Sequence, residues 1–229
     1  MQKIKKNQPL VKAIILIICG GLILSSLAAA IISLTDPPPS DDPRDIYRSQ
    51  LTQLETVIAQ TEKSLADDPE NVELLKKLGD SYYTKGQLHA SLNEGAESVE
   101  SFAKALEPYG KVLELEPDNV DVRVDRAVAA YASNNNEVAQ EEFEKAITVD
   151  PANAKAYFNY GVFLYFGLNE PEEALAQWQK VVELNPEAEQ DLVETTKTWI
   201  KAVEAELADR AADDKEETTA DSPDETETE

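Results

Sequence analysis

The stretch "EEFEKAITVDPANAKAYFNYG", Glu141 to Gly161, decides the fold. It has the texture of one helix that ends at Asp150-Pro151 and another that opens a few residues later. Proline lacks the N–H that would continue a helix, and its fixed φ starts the turn that follows. Proline closes helical segments at Pro69, Pro117, Pro151 and Pro186, in "DDPENV", "LEPDNV", "VDPANA" and "LNPEAE". The spacings are 48, 34 and 35 residues. A period near 34 is the length of two antiparallel helices whose inner faces need a neighbouring pair to be covered. A repeated helix pair means a scaffold rather than a catalyst.

The side chains can be followed copy by copy. In the first, Leu75, Leu78, Gly79 and Tyr82 of "LKKLGDSY" occupy one face of the first helix; in the third, Tyr157, Tyr160, Gly161 and Leu164 of "YFNYGVFL" stand at the same offsets. Gly79 and Gly161 are small where the two helices of a pair cross. The second copy, "RVDRAVAA", has Arg123, Arg126, Ala127 and Ala130 there, and only Ala127 keeps the small character. The second helices follow Ala105, Tyr109, Val112, Pro117; then Ala139, Phe143, Ala146, Pro151; then Ala174, Trp178, Val181, Pro186. Over about residues 71 to 187 this pattern resembles the tetratricopeptide repeat family. The resemblance implies an all-α fold, a right-handed α-solenoid of helix hairpins, with repeats at 71–117, 120–153 and 154–187.

The first repeat is 14 residues longer than the others, about four helical turns. The second helix could start early and project from the stack, with Pro108 kinking it, or residues 87–100 could form a loop with a short helix. Residues 44–68, with Leu51, Leu54, Ile58 and Leu65 on one stripe, read as a helix capping one end. Residues 188–208, carrying Leu192, Trp199, Ile200 and Val203, would cap the other, as terminal elements of a repeat array must. Residues 209–229 hold ten acidic and two basic residues with nothing bulkier than Thr or Pro. Such a segment cannot offset its ordering entropy and is expected to be disordered.

Residues 1–12 are basic, through Lys3, Lys5, Lys6 and Lys12, and 13–34 carry no charge. Twenty-two residues at about 1.5 Å each reach about 33 Å, close to a hydrocarbon core of about 30 Å. Twelve Ile and Leu side chains in this run favour insertion by about 4 to 7 kcal/mol. The expectation is a transmembrane helix at 13–34 in contact with a lipid bilayer, then a Pro/Asp linker at 35–43. The lysine asymmetry places the N-terminus in the cytoplasm and the repeats outside it, in a single-pass cell-membrane protein of bacterial type. The competing reading is a cleaved signal peptide ending near Leu27-Ala28-Ala29-Ala30.

A formal charge of -24 argues against nucleic acid as a partner, since Lys or Arg contacts to phosphates would compete with a surplus of carboxylates. The single cysteine, Cys19, lies in the apolar run, so no disulfide or thiolate metal site is built. His89 has no second His or Cys to share a metal and reads as a surface or helix-packing residue. Glu141-Glu142 and Glu172-Glu173 read as solvated helix faces rather than acid/base couples. With no GxxxxGK, GxSxG or HExxH, the expectation is a protein that is not an enzyme and holds neither cofactor nor metal.

The remaining candidate is the concave face, which the first helices line in the family this chain resembles. Just after the motif positions stand Glu73, Lys76, Asp80 and Tyr83; Asp121, Val124, Val128 and Tyr131; Lys155, Phe158, Val162 and Tyr165. Tyr83, Tyr131 and Tyr165 recur at one place and would either ladder along a groove for a protein or peptide partner or pack against the next pair. Some relatives in the family grip carboxylates with Lys and Asn here; only Lys76 and Lys155 are basic, so that activity is not implied. A narrower version is an assembly factor, since Leu54 to Gln87 resembles the opening of the repeat subunits of bacterial cytochrome c maturation. The alternative is a structural cell-envelope protein with an idle groove.

Overall fold

Three asparagines that share one place in the repeat start three helices. The Asn71 side chain accepts a hydrogen bond from the Leu74 N–H at 3.0 Å, Asn119 from Val122 at 3.2 Å and Asn153 from Ala156 at 2.9 Å. Each stands two residues after a closing proline, so the same short segment stops one helix and caps the next. In the computed structural model, which describes residues 42–220, the described elements are all helical. They are α1 (Pro43–Asp67), α2 (Val72–Ser91), α3 (Gly95–Leu115), α4 (Val120–Ala132), α5 (Asn136–Val149), α6 (Ala154–Phe163), α7 (Pro171–Leu184) and α8 (Gln190–Ala220). A π turn, Leu164–Leu168, extends α6, and a 3₁₀ turn, Glu187–Glu189, precedes α8. Each helix packs on the next along the chain, and α4 also touches α6. The apolar run 13–34 lies outside the described residues.

A second set of asparagines closes the hairpins. Asn93, Asn134 and Asn169 have φ of 62°, 64° and 62°, the left-handed region that a residue without a β-branch tolerates best after glycine. From capping to left-handed asparagine is 22 residues in the first repeat (71 to 93), 15 in the second (119 to 134) and 16 in the third (153 to 169). From left-handed asparagine to closing proline is 24 (93 to 117), 17 (134 to 151) and 17 (169 to 186). The 14 extra residues of the first repeat are therefore shared equally, seven in α2 and seven in α3. Neither a projecting single helix nor a loop results: both helices of the hairpin grow by about two turns. α3 continues through Pro108, which is buried. The one extra residue of the third repeat sits in α6, where the π turn absorbs it.

The longer hairpin is packed along its added length. The Ser98 hydroxyl donates to the Gly86 carbonyl at 2.8 Å, and Tyr83 meets Phe102 edge-on with centroids 5.2 Å apart. α1, itself 25 residues long, lies against α2, with Glu55 paired to Lys85 at 2.8 Å and the Tyr82 hydroxyl donating to Glu62 at 2.7 Å. His89 meets Glu94 across the α2–α3 turn, Nδ1 to Oε2 2.7 Å.

Within each pair the crossing is set by a small residue facing a large ring. A Cβ on Gly79 would lie 2.5 Å from Tyr109 Cε1, and one on Gly161 only 2.4 Å from Trp178 Nε1. Both rings are fully buried, and Trp178 Nε1 donates to the Phe158 carbonyl at 3.1 Å. Ala127 holds the place in the second pair and is buried. That pair has a different joint: Arg123 and Arg126 both donate to the Glu142 carboxylate, Arg123 at 2.6 Å, and Arg123 also reaches the Pro117 carbonyl at 2.5 Å. Glu142 is 3% exposed, which corrects its reading as part of a solvated face. The two arginines that break the repeat pattern are the reason: a guanidinium at a buried place needs a carboxylate opposite it.

At the carboxyl end, Leu192, Val193, Thr196 and Val203 of α8 are buried. Trp199 closes the aromatic cluster, with ring centroids 5.4 Å from Trp178, 5.7 Å from Phe166 and 5.9 Å from Phe158. α8 then runs on to Ala220, so residues 209–220 are helical where composition alone suggests disorder. A docked helix needs no new nucleus to extend through good formers such as Ala208, Ala211 and Ala212. A Glu206–Arg210 ion pair spans one turn there. Residues 221–229 lie outside the described residues.

Candidate functional site

The structure divides the twelve residues of the expected groove. Tyr131 is 5% exposed and Phe158 is 1% exposed; Tyr83, Val124, Val128 and Val162 are likewise buried. Tyr83 packs on Phe102, and Tyr131 on Phe163 at 5.4 Å. Half-buried Tyr165 lies between Phe166 at 4.6 Å and Trp178 at 5.9 Å, and its hydroxyl is hydrogen-bonded to Glu206 of α8. Burial, with the Glu206 bond and its charge, pushes the Tyr165 phenol up to about 12. The tyrosines thus pack between helices, the packing alternative, and offer no open row of rings. Replacing Tyr131 or Phe158 by Ala would empty the core, so either variant would lose stability along with any binding.

What faces outward from the first helices is charged. Lys76 and Asp80 of α2 pair at 3.0 Å, and Asp80 accepts the Tyr109 hydroxyl of α3 at 2.8 Å. Burial pulls the Lys76 ammonium down, but its pair with Asp80, together with Asp125 and Asp121, outweighs this and holds it above the usual value. Tyr109 is held well above the ordinary phenol by burial, then by the charges of Asp125 and Asp80. Lys155 of α6 reaches Glu189 at 3.2 Å. Asp121 is exposed at the start of α4, and Asp125, one turn on, is 9% exposed.

Asp125 is the residue that sequence reasoning missed. Burial pushes its carboxyl up to about 7; Asp80 and Asp121 add to the shift, while Lys76 and Lys155 oppose it. The signal was present in "VDVRVDRAVAAYA", where an aspartate interrupts the apolar face of a helix four residues after another aspartate. Like charges at that spacing destabilise a helix. An aspartate with a folded pKa above its unfolded value binds its proton more readily when folded. Its stability contribution is therefore complete below about pH 4 and is lost as pH rises through about 7. Asp125→Asn is expected to leave stability at pH 4.5 close to wild type and to raise it at pH 8, roughly 1 kcal/mol or more by urea unfolding. A difference that does not grow between those two pH values would contradict this.

Among the described residues no group of three or more His, Cys, Asp or Glu is placed to hold a metal ion. An open cleft lies where α5 ends and α4 and α6 begin, lined by Asp118, Asn119, Val120, Asp121, Val149, Asp150 and Asn153.

Residues 79–107 and 124–189 each match the tetratricopeptide repeat family. The chain is 34% identical over 103 residues to a small glutamine-rich tetratricopeptide repeat-containing protein 2 of Mycosarcoma maydis, 45% of this chain and 29% of that protein. It is 27% identical over 125 residues to the Saccharomyces cerevisiae protein of the same name, 54% of this chain and 36% of that one. It is 38% identical over 58 residues to the type IV pilus assembly protein PilF of Pseudomonas aeruginosa, 25% of this chain and 23% of that protein. The chain thus spans about a third or less of these curated relatives. A solved structure of MamA superposes with a TM-score of 0.47 at 20% identity, over 80% of this chain and 98% of that one.

These findings correct the expected location, a cell membrane with a cytoplasmic N-terminus and extracytoplasmic repeats. Two of the relatives are small glutamine-rich repeat proteins, and among the described residues no helix is long and apolar enough to cross a membrane. Residues 13–34, the stretch expected to contact lipid, lie outside the described residues. With the period, the crossing glycines and the family matches all falling on the same helix pairs, the hairpins of this chain are tetratricopeptide repeats.

Proposed function

We propose that this chain is a protein-binding scaffold whose contact surface is the face formed by α2, α4 and α6. Tetratricopeptide repeats bind protein partners, and the supporting observation is how this face is built. Lys76, Asp80, Asp121 and Lys155 all act on the charge of Asp125, and the helices that carry the face keep a buried apolar floor of Val124, Val128, Phe158 and Val162. Packed helices fix those polar groups in place, so a bound segment meets few side chains that must be ordered on contact. Specificity then comes from charge and hydrogen bonding at the surface, with the apolar floor serving rigidity. An assembly role is the narrower version, in keeping with the name of the pilus assembly relative.

Site-directed photo-crosslinking tests this. A benzophenone amino acid in place of Glu73 or Lys155, both exposed on this face, is expected to capture a partner protein. The same group in place of Glu172, exposed on α7, is expected to capture it at least fivefold less. Equal capture from both places, or none from the α2–α4–α6 face, would overturn the assignment.

A further inference from the structure

We propose that this face holds a lysine or arginine side chain of the bound partner, with Asp121 at the rim and Asp125 at the inner end of the seat. The proposal rests on the scaffold reading above and adds the chemistry of what is bound. Three observations carry it. The first is an unanswered carboxylate: Asp125 is buried within the face, and among the described residues no group donates a hydrogen bond to it. A carboxylate taken out of water without a donor is costly, and the cost falls when a cation reaches it.

The second is that the neighbouring cations, Lys76 and Lys155, act on Asp125 through their charge alone and make their hydrogen bonds or ion pairs with other carboxylates. On α2, Lys76 is bonded to Asp80, which also takes the Tyr109 hydroxyl from α3; on α6, Lys155 is paired with Glu189. Asp121, four residues before Asp125 on α4, makes no ion pair among the described residues. The charges that act on Asp125 are therefore Asp80 and Asp121 against Lys76 and Lys155, and the balance including Asp125 is negative.

The third is an apolar approach to Asp121; Asp125 does not line this cleft and stands one turn farther along α4. Asp121 belongs to the cleft that Val120 and Val149 also line, and Val149 is 40% exposed. A long basic side chain lays its methylenes on apolar surface while its head reaches a carboxylate. The remaining acids of the cleft, Asp118 and Asp150, add to the attraction; Asp150 is partly engaged, accepting the Ala152 N–H at 3.0 Å. A chain of formal charge -24 also steers a basic segment toward it.

The test uses the full chain and a fluorescein-labelled, end-capped peptide, Gly-Ser-Ala-Leu-Lys-Ala-Leu-Ser-Gly, with a second peptide carrying Gln for Lys, read by fluorescence anisotropy at pH 8 and low salt. The Lys peptide is expected to bind about tenfold tighter than the Gln peptide. That advantage should shrink to about twofold in Asp125→Asn and in Asp121→Asn, and should survive in the double variant Glu172→Gln/Glu173→Gln, which removes two charges from the exposed first turn of α7. In the wild type it should also shrink at pH 6, as Asp125 takes up its proton, and no longer depend on pH in Asp125→Asn. Circular dichroism checks that each variant is folded, and Asp121, being exposed, keeps the test open should Asp125→Asn misfold. Failure of the Lys peptide to bind, equal binding of both peptides, or equal loss in all three variants overturns the proposal. Crosslinking of a partner to this face with binding indifferent to Asp125 would sink the basic-residue seat and leave the scaffold reading standing.

Discussion

Trp178→Ala is expected to lower the stability of the repeat stack by about 4 to 5 kcal/mol, the upper part of the range for a fully buried aromatic. The indole is completely buried, and it fills the space that Gly161 leaves by lacking a Cβ. Its removal opens a cavity at a helix crossing where the backbones are already close, so collapse cannot easily refill it. The Phe158 carbonyl also loses its bond from Nε1. Trp178 touches Trp199 of α8 and Tyr165, so the loss reaches the carboxyl-terminal cap as well as the third pair. Urea unfolding followed by circular dichroism measures it. A loss below about 1 kcal/mol would mean that Trp178 is not the joint between α6 and α7.

Glu142→Ala is expected to cost about 3 to 5 kcal/mol, because it strands the guanidiniums of buried Arg123 and half-buried Arg126 beside an apolar interface. The size comes from what is left behind more than from what is removed. The triple variant Arg123→Leu/Arg126→Leu/Glu142→Ala is therefore expected to recover at least half of the loss, since leucines stand at the matching places Leu75 and Leu78 of the first repeat. A triple variant less stable than Glu142→Ala alone would show that the ion-paired cluster contributes more than an apolar joint can.

The period and the crossings were legible in the sequence because their signals are local: a proline that stops each pair, and a small residue at one fixed place in the first helix. The length of the first hairpin could have been read too. Leu92-Asn93-Glu94 parallels Leu168-Asn169-Glu170, and aligning those turns divides the extra 14 residues without reference to Pro108. The tyrosines could not be assigned from spacing. A residue one position past the motif lies about 100° around the helix, and whether that direction meets solvent or the next pair depends on how tightly the pairs stack. Here the stacking is tight enough that Tyr83 and Tyr131 are enclosed. The Arg123–Glu142 pair was hidden for another reason: Arg123 breaks the motif, but its partner is 19 residues away on a different helix and nothing local singles Glu142 out. The carboxyl-terminal residues were misjudged because composition describes a segment alone, whereas residues 209–220 continue an element already anchored by Trp199 and Val203.

The even division of the insertion limits how such a hairpin can change in length. A residue added to one helix alone would move the turn off its partner and rotate everything beyond it by a large fraction of a circle. Seven residues bring a helix back to within about 20° of its former facing, and seven on the opposite helix return the chain to the same end of the stack. Growth of a repeat by this route comes in paired double turns, whereas a single surplus residue is accommodated only by a local π turn such as Leu164–Leu168. Insertions of two to five residues within either helix have no comparable outlet and would be rejected by the packing itself.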